Sequence, residues 1–445
     1  MEEDSRNILS PLLTKPQIKK QLERLEGVVK EAQKRVDYTI AHDPEITKAI
    51  HVVERFLRKT GRPCYGGQAI NSFLPKSRKI YNLDYNIPDY DFFSATAKED
   101  SDELTKELEE AGFTDIYKKV GVHDGTTKIY VNFVPIADIS EIVNGLYKII
   151  HARAKNVEGI MYCDPDFLRM LMYLELSRPR GEVKRWSKVY ERLLLINATF
   201  PIGKCSESIR TPNISPDDRA ALLQFCIKHK CVVVSPEVIE LFEKNESRKS
   251  LQTLVNRGGP VIFFSNTATS DAADIKAMLN KPGNGGIVTD ANKIPMDNIF
   301  NFVTIKRRGV PVALIFQEDA CHSYTTLKLD GGDTLRVATP DLFLHLYYSL
   351  MIFGKRESVY FETSLQCLIQ KIHEVLNRAR DHPTDFLPSF GLRCSGRQRG
   401  IATLLRQKQE RTDKEKQGLY KKSRKVKKSS QRVNRRRTRR SNFPY

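Results

Sequence analysis

Two stretches set the reading of this chain. The first is Arg62-Pro-Cys-Tyr65-Gly66-Gly67-Gln-Ala-Ile70-Asn-Ser-Phe-Leu74, and the second is Asn86-Ile-Pro-Asp89-Tyr90-Asp91-Phe-Phe-Ser94. The first has the pattern of a short strand, a Gly-Gly turn and a helix; the second has the pattern of a strand. In a strand, residues i and i+2 point to one face, so Asp89 and Asp91 present two carboxylates side by side. Carboxylates held that close repel unless a cation sits between them. Hard oxygen ligands of this kind suit Mg²⁺, which takes one or two carboxylates together with substrate phosphates. A third acid, Asp138, lies in the apolar run Phe133-Val-Pro-Ile-Ala-Asp138-Ile139, where it is costly unless paired or metal-bound. Three such acids suffice for a two-metal phosphoryl-transfer site. Gly66 and Gly67 supply the other half, because glycine lets backbone N–H groups approach a phosphate at a helix N-terminus. Asn71 and Ser72 lie one turn on, and Lys76, Arg78 and Lys79 are candidates to meet a triphosphate.

Each piece is ordinary by itself. A lone Gly-Gly is usually a turn, a lone Asp-x-Asp usually a solvated strand end, and a single acid in an apolar run usually an N-cap or a paired core group. The ordered combination is far more specific than its parts.

The flanking pattern is α+β. Residues 16–60 read as two helices, the second opened by Asp43-Pro44-Glu45 with Ile46, Ile50, Val53 and Leu57 on one face. Ser101–Ala111 reads as a helix closed by Gly112. Thr114–Val120 and Thr127–Val134 read as a hairpin turning at His123-Asp124-Gly125, with Pro135–Ser140 continuing or following the second strand. Helices follow, and a second α+β block begins near Pro260. Asp164-Pro165-Asp166-Phe167 and Thr339-Pro340-Asp341-Leu342 form a weak internal repeat, each opening an apolar helix after a run of strands. The expected organisation is a helical extension over 1–60, a catalytic lobe over 61–200 and a helical connector over 201–258. A second, non-catalytic lobe over 259–395 and a basic, disordered tail over 396–445 complete it. In that second lobe Val261–Ser265 leads into no Gly-Gly, no Asp-x-Asp follows on Ile299–Ile305, and the adjacent Glu318 and Asp319 would face opposite sides of a strand.

The 445 residues carry a net charge of +19, most of it at one end. From Arg397 onward there are 19 Lys/Arg against three acids, so the rest of the chain is near neutral. Such a tail usually meets a polyanion, and RNA is the preferred partner here, through Lys421, Lys422, Arg424, Lys425, Arg435, Arg436 and Arg437. The basic stretch from Arg178 to Lys188 holds the only tryptophan, Trp186; its best triphosphate or RNA contacts are Arg185 and Lys188. The N-terminus lacks an apolar leader and no run is long enough to span a membrane. Eight scattered cysteines without paired-motif spacing predict reduced thiols. Cys226, His229 and Cys231 lack the fourth ligand of a structural zinc site.

Tyr65-Gly66-Gly67, Ile87-Pro88-Asp89-Tyr90-Asp91-Phe92 and Ala137-Asp138 resemble the signature of the DNA polymerase β-like nucleotidyltransferase superfamily. More closely, Tyr-Gly-Gly-x-Ala-Ile, Pro-Asp-x-Asp-x-Phe-Ser, Ala-Asp-Ile-Ser and the later Asp-Pro-Asp-x-x-Arg helix resemble the poly(A) polymerase catalytic subunits of large cytoplasmic DNA viruses. The motifs cover about 62–197. The stretch between Gly67 and Asp89 is longer than the superfamily pattern and reads as an insertion. The resemblance implies a nucleotidyltransferase lobe followed by a degenerate copy. It implies that Asp89 and Asp91 hold two Mg²⁺ (or Mn²⁺) ions, that Asp138 completes the site for the ion activating an RNA 3′-hydroxyl, and that Gly66 and Gly67 cradle the phosphates of ATP. It further implies a homodimer or a viral processivity subunit, no membrane association, and a place in the host cytoplasm (the viral factory) or packaged in the virion. Two alternatives are an inactive RNA-binding scaffold on the same fold and a uridylyl or other nucleotidyltransferase. The intact acid triad argues against the first; the basic tail favours a polyanionic acceptor over a small one.

The tail should act on RNA affinity and not on the chemical step. If it neutralises about 6 phosphates, log K for single-stranded RNA falls with log salt at a slope of about −4. Deleting the residues after Leu419 should flatten that slope and leave the rate at saturating primer unchanged; RNA-binding titrations at several salt concentrations check it.

Overall fold

The computed structural model describes residues 14–256, 258–280, 286–292, 301–354, 363–400 and 402–413. A long helix, α1 (Lys15–Ala41), comes first and buries none of its residues. Ile18, Leu22, Leu25, Val29 and Val36 form an exposed apolar row along it. Behind it stand two sheets built to one plan.

The first lobe runs α2 (Pro44–Thr60), β1 (Cys64–Tyr65), α3 (Gly66–Phe73), β2 (Tyr90–Ser94), α4 (Ala97–Glu110), β3 (Ile116–Val120), β4 (Thr126–Val131), β5 (Val134–Glu141), α5 (Asn144–Arg153), β6 (Lys155–Val157), β7 (Ile160–Tyr162), α6 (Pro165–Leu176) and α7 (Trp186–Thr199). Its strands pair in the order β3-β4-β5-β2-β1-β7-β6. Local chemistry sets these boundaries. The Asp43 carboxylate accepts from the N–H groups of Glu45 (2.8 Å) and Ile46 (3.3 Å) to start α2, and Gly61 ends it in the left-handed conformation. Asp164 does the same for α6, accepting from Asp166 at 3.0 Å and Phe167 at 3.3 Å.

The second lobe continues with α8 (Pro216–His229), β8 (Val232–Val233), α9 (Glu237–Glu243), β9 (Arg248–Lys249), α10 (Leu251–Val255), β10 (Val261–Ser265), α11 (Ala268–Leu279), β11 (Ile287–Asn292), β12 (Phe302–Arg307), β13 (Val310–Gln317), β14 (His322–Leu329), β15 (Thr334–Ala338) and α12 (Pro340–Phe353). After it come α13 (Leu365–Asp381) and β16 (Cys394–Ser395). The order β11-β12-β13-β10-β8-β15-β14 repeats the first sheet strand for strand, with β16 added beyond β14. The senses match as well. β1 is antiparallel to β2 as β8 is to β10; β2 is parallel to β5 as β10 is to β13; β1 is parallel to β7 as β8 is to β15.

The two Pro-Asp helices of the sequence repeat, α6 and α12, pack on each other at the centre. Tyr173 stacks on Tyr348, its counterpart 175 residues later, with ring centroids 6.1 Å apart. The ring of His345, counterpart of Met170, bonds the Met170 carbonyl oxygen at 2.9 Å. Contacts between equivalent residues are what a local two-fold axis produces.

Four expectations need correction. Thr127–Val134 is not one strand: Asn132 and Phe133 have φ of 50° and 65° and reverse the chain between β4 and β5, so that Pro135–Ser140 follows in a separate strand. Asparagine tolerates that conformation, but Phe133 carries no turn signal. The cysteines are not all reduced: Cys205 pairs with Cys367 and Cys321 with Cys394, across 162 and 73 residues of chain. No local spacing could betray bridges that long. The tail does not lack structure throughout: 402–413 is helical, and Arg411 donates to the Val122 carbonyl (3.1 Å) and pairs with Asp124 (3.3 Å) on the β3–β4 turn. The segment expected to be a helical connector, 201–258, contributes β8 and β9 to the second sheet. Lys421 to Arg437, the proposed RNA contacts, lie outside the described residues.

Among the described residues no helix is long and apolar enough to cross a membrane.

Alkylating the unfolded, unreduced protein should block four thiols, those of Cys64, Cys163, Cys226 and Cys231. Reduction first should raise the count to eight, and peptide mass spectrometry reads both numbers.

Candidate active site

The site is assembled by register. β2 and β5 run parallel with Asp91 directly opposite Asp138. Asp89 stands one residue ahead of β2, so the Asp-x-Asp pair straddles the strand's first residue. β1 lies on the other side of β2 with Tyr65 opposite Asp91, which brings the Gly66-Gly67 turn over the same carboxylate. Gly66 has φ of +73°, and a Cβ there would overlap the Asp91 carboxylate. Glycine is therefore required twice, by conformation and by space.

Crowding raises the acids. Burial, then the charge of Asp138, pushes Asp89 up to about 6, with Lys128 pulling the other way. Burial and the charges of Asp89 and Asp138 push Asp91 up to about 7, against Lys128 and Arg192. Both shifts mark a place that disfavours accumulated negative charge unless cations arrive. The Oδ2 of Asp138 takes a hydrogen bond from Lys128, directly across the β4–β5 ladder. Its Oδ1 is buried and without a hydrogen-bond partner.

The ligand chemistry fits divalent metal. The set is all carboxylate, and one buried oxygen is unsatisfied. Among the described residues the three ligating side chains with donor atoms all within 4.8 Å are Cys205, Glu207 and Cys367, and both those cysteines are in a disulfide.

Three groups at the site escaped the sequence reading. Lys128 is the first. Tyr81 and Arg192 are the others, and both close on Gly67. A Cβ on Gly67 would overlap the Tyr81 hydroxyl and crowd the Arg192 guanidinium. Arg192 donates to the Tyr81 hydroxyl at 2.6 Å. The inserted stretch is held in place by Asn71, whose Oδ1 accepts from the N–H groups of Ile80 (2.9 Å) and Tyr81 (3.4 Å). Arg192 follows Lys188 by four residues and Arg185 by seven, one face of α7 and its preceding turn. That periodicity was the available signal.

The remaining candidates separate. Lys188 joins the Arg185 and Arg192 face and has no ion-pair partner among the described residues; burial and those two neighbours lower its pKa. Arg185 is spent on Glu175 (3.1 Å) and Glu182 (3.3 Å). Ser72 bonds back to the Ala69 carbonyl at 2.7 Å. Lys79 donates to the carbonyls of Asn71 (2.5 Å) and Ser72 (3.3 Å), so it staples the insertion to α3. Lys76 and Arg78 are exposed on a single 3₁₀ turn. Trp186 packs on Phe390 and donates to the Glu175 carbonyl.

The second lobe shows what the same scaffold is without the acids. The counterpart of β2 is β10, and that of β1 is β8; the sequence had suggested comparing β10 with the Gly-Gly strand. In the corrected register, Ser235 and Pro236 replace Gly66 and Gly67. Pro260, Ile262 and Leu314 replace Asp89, Asp91 and Asp138. Ser235, Ile262 and Leu314 are fully buried, and the Ser235 hydroxyl accepts from the Ile262 N–H at 2.8 Å. The place is sealed.

Residues 51–182, which contain the acids and the glycines, match a family model described as poly(A) polymerase catalytic subunit. The resemblance implied by the motifs holds. Over 197 residues the chain is 28% identical to a putative poly(A) polymerase catalytic subunit of Acanthamoeba polyphaga mimivirus, covering 43% of this chain and 33% of that one. Over 179 residues it is 33% identical to the protein of the same description from African swine fever virus, covering 38% and 36%. The matches span about a third of the length of these relatives. The fold extends further: the crystal structure of the Megavirus polyadenylate synthase superposes with a TM-score of 0.72 over 94% of this chain and 86% of that chain, at 18% identity.

The sign of the pH effect follows from the raised acids. Asp91 is pushed from its ordinary 3.8 up to about 7 in the fold, so it favours unfolding increasingly as pH rises from ~4 to ~7 and fully above that. With divalent cations chelated, Asp91→Asn should therefore raise the melting temperature at pH 8 and leave it unchanged at pH 3.5. The gain has a ceiling of about 4 kcal/mol. Added Mg²⁺ or Mn²⁺ should stabilise the parent and not the variant; calorimetry at the two pH values measures both.

Proposed function

We propose that the chain is a template-independent polynucleotide adenylyltransferase that adds AMP from ATP to the 3′-hydroxyl of mRNA and releases pyrophosphate. The observation that carries this reading is the convergence of Asp89, Asp91 and Asp138 under the Gly66-Gly67 turn, within the segment that matches the poly(A) polymerase family. Asp89 and Asp91 would hold a pair of divalent cations, Mg²⁺ or Mn²⁺, with the free Oδ1 of Asp138 as a further ligand. Such ions neutralise the triphosphate and help ionise the attacking hydroxyl. Gly66 and Gly67, at the start of α3, offer backbone N–H groups to the phosphates. Arg192 and Lys188 bring positive charge to the side of the site opposite Lys128. The hydroxyl attacks the α-phosphate in line, the α–β bridging bond breaks, and the chain's contribution is position and charge.

The reading extends to a partner subunit, either a second copy or a separate processivity subunit, for which the exposed apolar row of α1 is the surface on offer. It also carries the expected setting in a host cytoplasm, in the viral factory, or in the virion. Uridylyl transfer is the alternative chemistry.

Incubation with a labelled RNA primer, Mg²⁺ or Mn²⁺ and each nucleoside triphosphate separately tests the proposal: ATP should extend the primer, and equal extension by UTP overturns the selectivity. Asp89→Ala, Asp91→Ala and Asp138→Ala should each reduce incorporation below a few per cent while circular dichroism stays unchanged. Arg192→Ala should cost 10–100-fold in kcat/KM for ATP, about 1.4–2.7 kcal/mol, and raise KM if the guanidinium meets phosphate.

A further inference from the structure

The second lobe has a small cavity of about 80 Å³ at the C-terminal ends of β10 and β13, away from the sealed counterpart of the active site. Its walls include Cys231, Ser265, Thr267, Asp271, Glu318 and Ser395. The duplication tells what such a place accommodates. Ser265, Thr267 and Asp271 correspond to Ser94, Thr96 and Asp100 of the first lobe. The correspondence is exact in backbone bonding: the N–H of Thr96 donates to the Ser94 hydroxyl as that of Thr267 does to Ser265, and the Asp100 N–H donates to the Thr96 carbonyl as that of Asp271 does to Thr267.

In the first lobe the space between these groups is filled by an arginine. Arg62 pairs with Asp100 at 2.7–2.8 Å and donates to the Thr96 hydroxyl at 3.3 Å. The strand register puts Cys231 at the Arg62 position of the second lobe. The acid has been kept and the guanidinium has not. A second acid has been added, because Glu318 replaces Ile142: both backbone N–H groups donate to the equivalent serine carbonyl, Ser265 and Ser94.

Neither Asp271 nor Glu318 has an ion-pair partner among the described residues, although they are 6% and 5% exposed. Asp271 accepts from the hydroxyls of Ser265 (2.5 Å) and Thr267 (3.1 Å). Glu318 accepts from the Ser395 hydroxyl at 3.1 Å through one oxygen, and its other oxygen is buried with no hydrogen-bond partner. Arg336 acts on Glu318 through its charge but makes no ion pair with it. Arg336 lies over the Tyr324 ring and donates to the Lys230 carbonyl, the Lys230 side chain is exposed, and the His229 ring stacks on Phe225. Burial pushes Glu318 up to about 7, against the Ser395 hydrogen bond and the charge of Arg336.

We infer that this cavity is a binding site for a guanidinium group, the cation that the first lobe supplies from its own Arg62. A planar fork of N–H donors matches two carboxylates and flanking hydroxyls better than an ammonium does. The group arrives either on an arginine side chain of another protein or on a small free guanidino compound.

The test uses the full-length protein and ethylguanidinium, with ethylammonium at matched ionic strength as the control, followed by saturation-transfer NMR. Saturable binding is expected, at least tenfold tighter for ethylguanidinium. It should weaken at least tenfold in Glu318→Gln, a substitution that keeps the shape and leaves circular dichroism unchanged. Cys231→Arg should abolish it by filling the site as Arg62 fills its own. A Gly-Arg-Gly peptide that binds as tightly as ethylguanidinium assigns the group to a protein; binding of ethylguanidinium alone assigns it to a small molecule. Absence of saturable binding, equal binding of ethylammonium, or full binding by Glu318→Gln overturns the inference. Primer extension is not read in any arm, so the result is independent of the proposed adenylyl transfer.

Discussion

The parallel pairing of β2 with β5 is the constraint on which the rest of the first lobe depends. It sets the half-buried Asp91 against the buried Asp138 and carries Asp89 alongside at the exposed edge. Buried like charges are unfavourable on two counts, lost solvation and mutual repulsion. The surroundings offset part of that cost. Lys128 reaches Asp138 from the next strand, and Arg192 reaches towards Asp91 from α7. What these cations leave uncompensated is what makes the place receptive to further positive charge. Gly66 is part of the same arrangement, since any side chain there would meet the Asp91 carboxylate.

The second lobe works as an internal control on this argument. The same strand order and senses recur with Pro260, Ile262 and Leu314 in place of the acids, and the lobe still forms a full sheet packed through α12. The acids are thus not needed to specify the architecture. Where they are absent, serine and aliphatic side chains close the space, as burial of apolar surface dictates. The contrast also runs the other way: the first lobe satisfies Asp100 with its own Arg62, whereas the second retains Asp271 and opens the matching space. Among the described residues, the acids of the first lobe and the cavity acids of the second lie at opposite ends of equivalent strands.

Much of this was legible in the sequence, because the signals were local. Asp43-Pro44 and Asp164-Pro165 announce helices through capping chemistry that acts within three residues, and Asp89 and Asp91 announce a shared face through the period of a strand. The pairing of Thr339-Pro340 with Asp164-Pro165 showed the duplication, though the strands between were matched one place out of step, since β8 is only two residues long and gives no periodic signal. What stayed hidden depends on distant chain. Lys128 meets Asp138 only because Asn132 and Phe133 turn the chain back, and Tyr81 meets Gly67 only because Asn71 clasps the insertion. The disulfides join residues whose nearness is a product of the finished fold.

The last described helix of the chain returns to the first lobe at the β3–β4 turn. The helix over 402–413 is fixed there by Arg411, which bonds the Val122 carbonyl and pairs with Asp124. The strands on either side of that turn lead to β4, whose Lys128 touches Asp138. The sequence beyond 413 therefore starts from the lobe that bears the acids, and from Lys421 to Arg440 it holds 12 basic residues and no acid. A cluster of carboxylates repels an approaching phosphate backbone, and screening confines charge effects to about 8 Å at physiological salt. Asp124 stands four residues before Lys128, roughly 13 Å of extended chain and more than that screening length. Anchoring at Asp124 therefore fixes the helix over 402–413 against the first lobe, at a remove from the acids themselves.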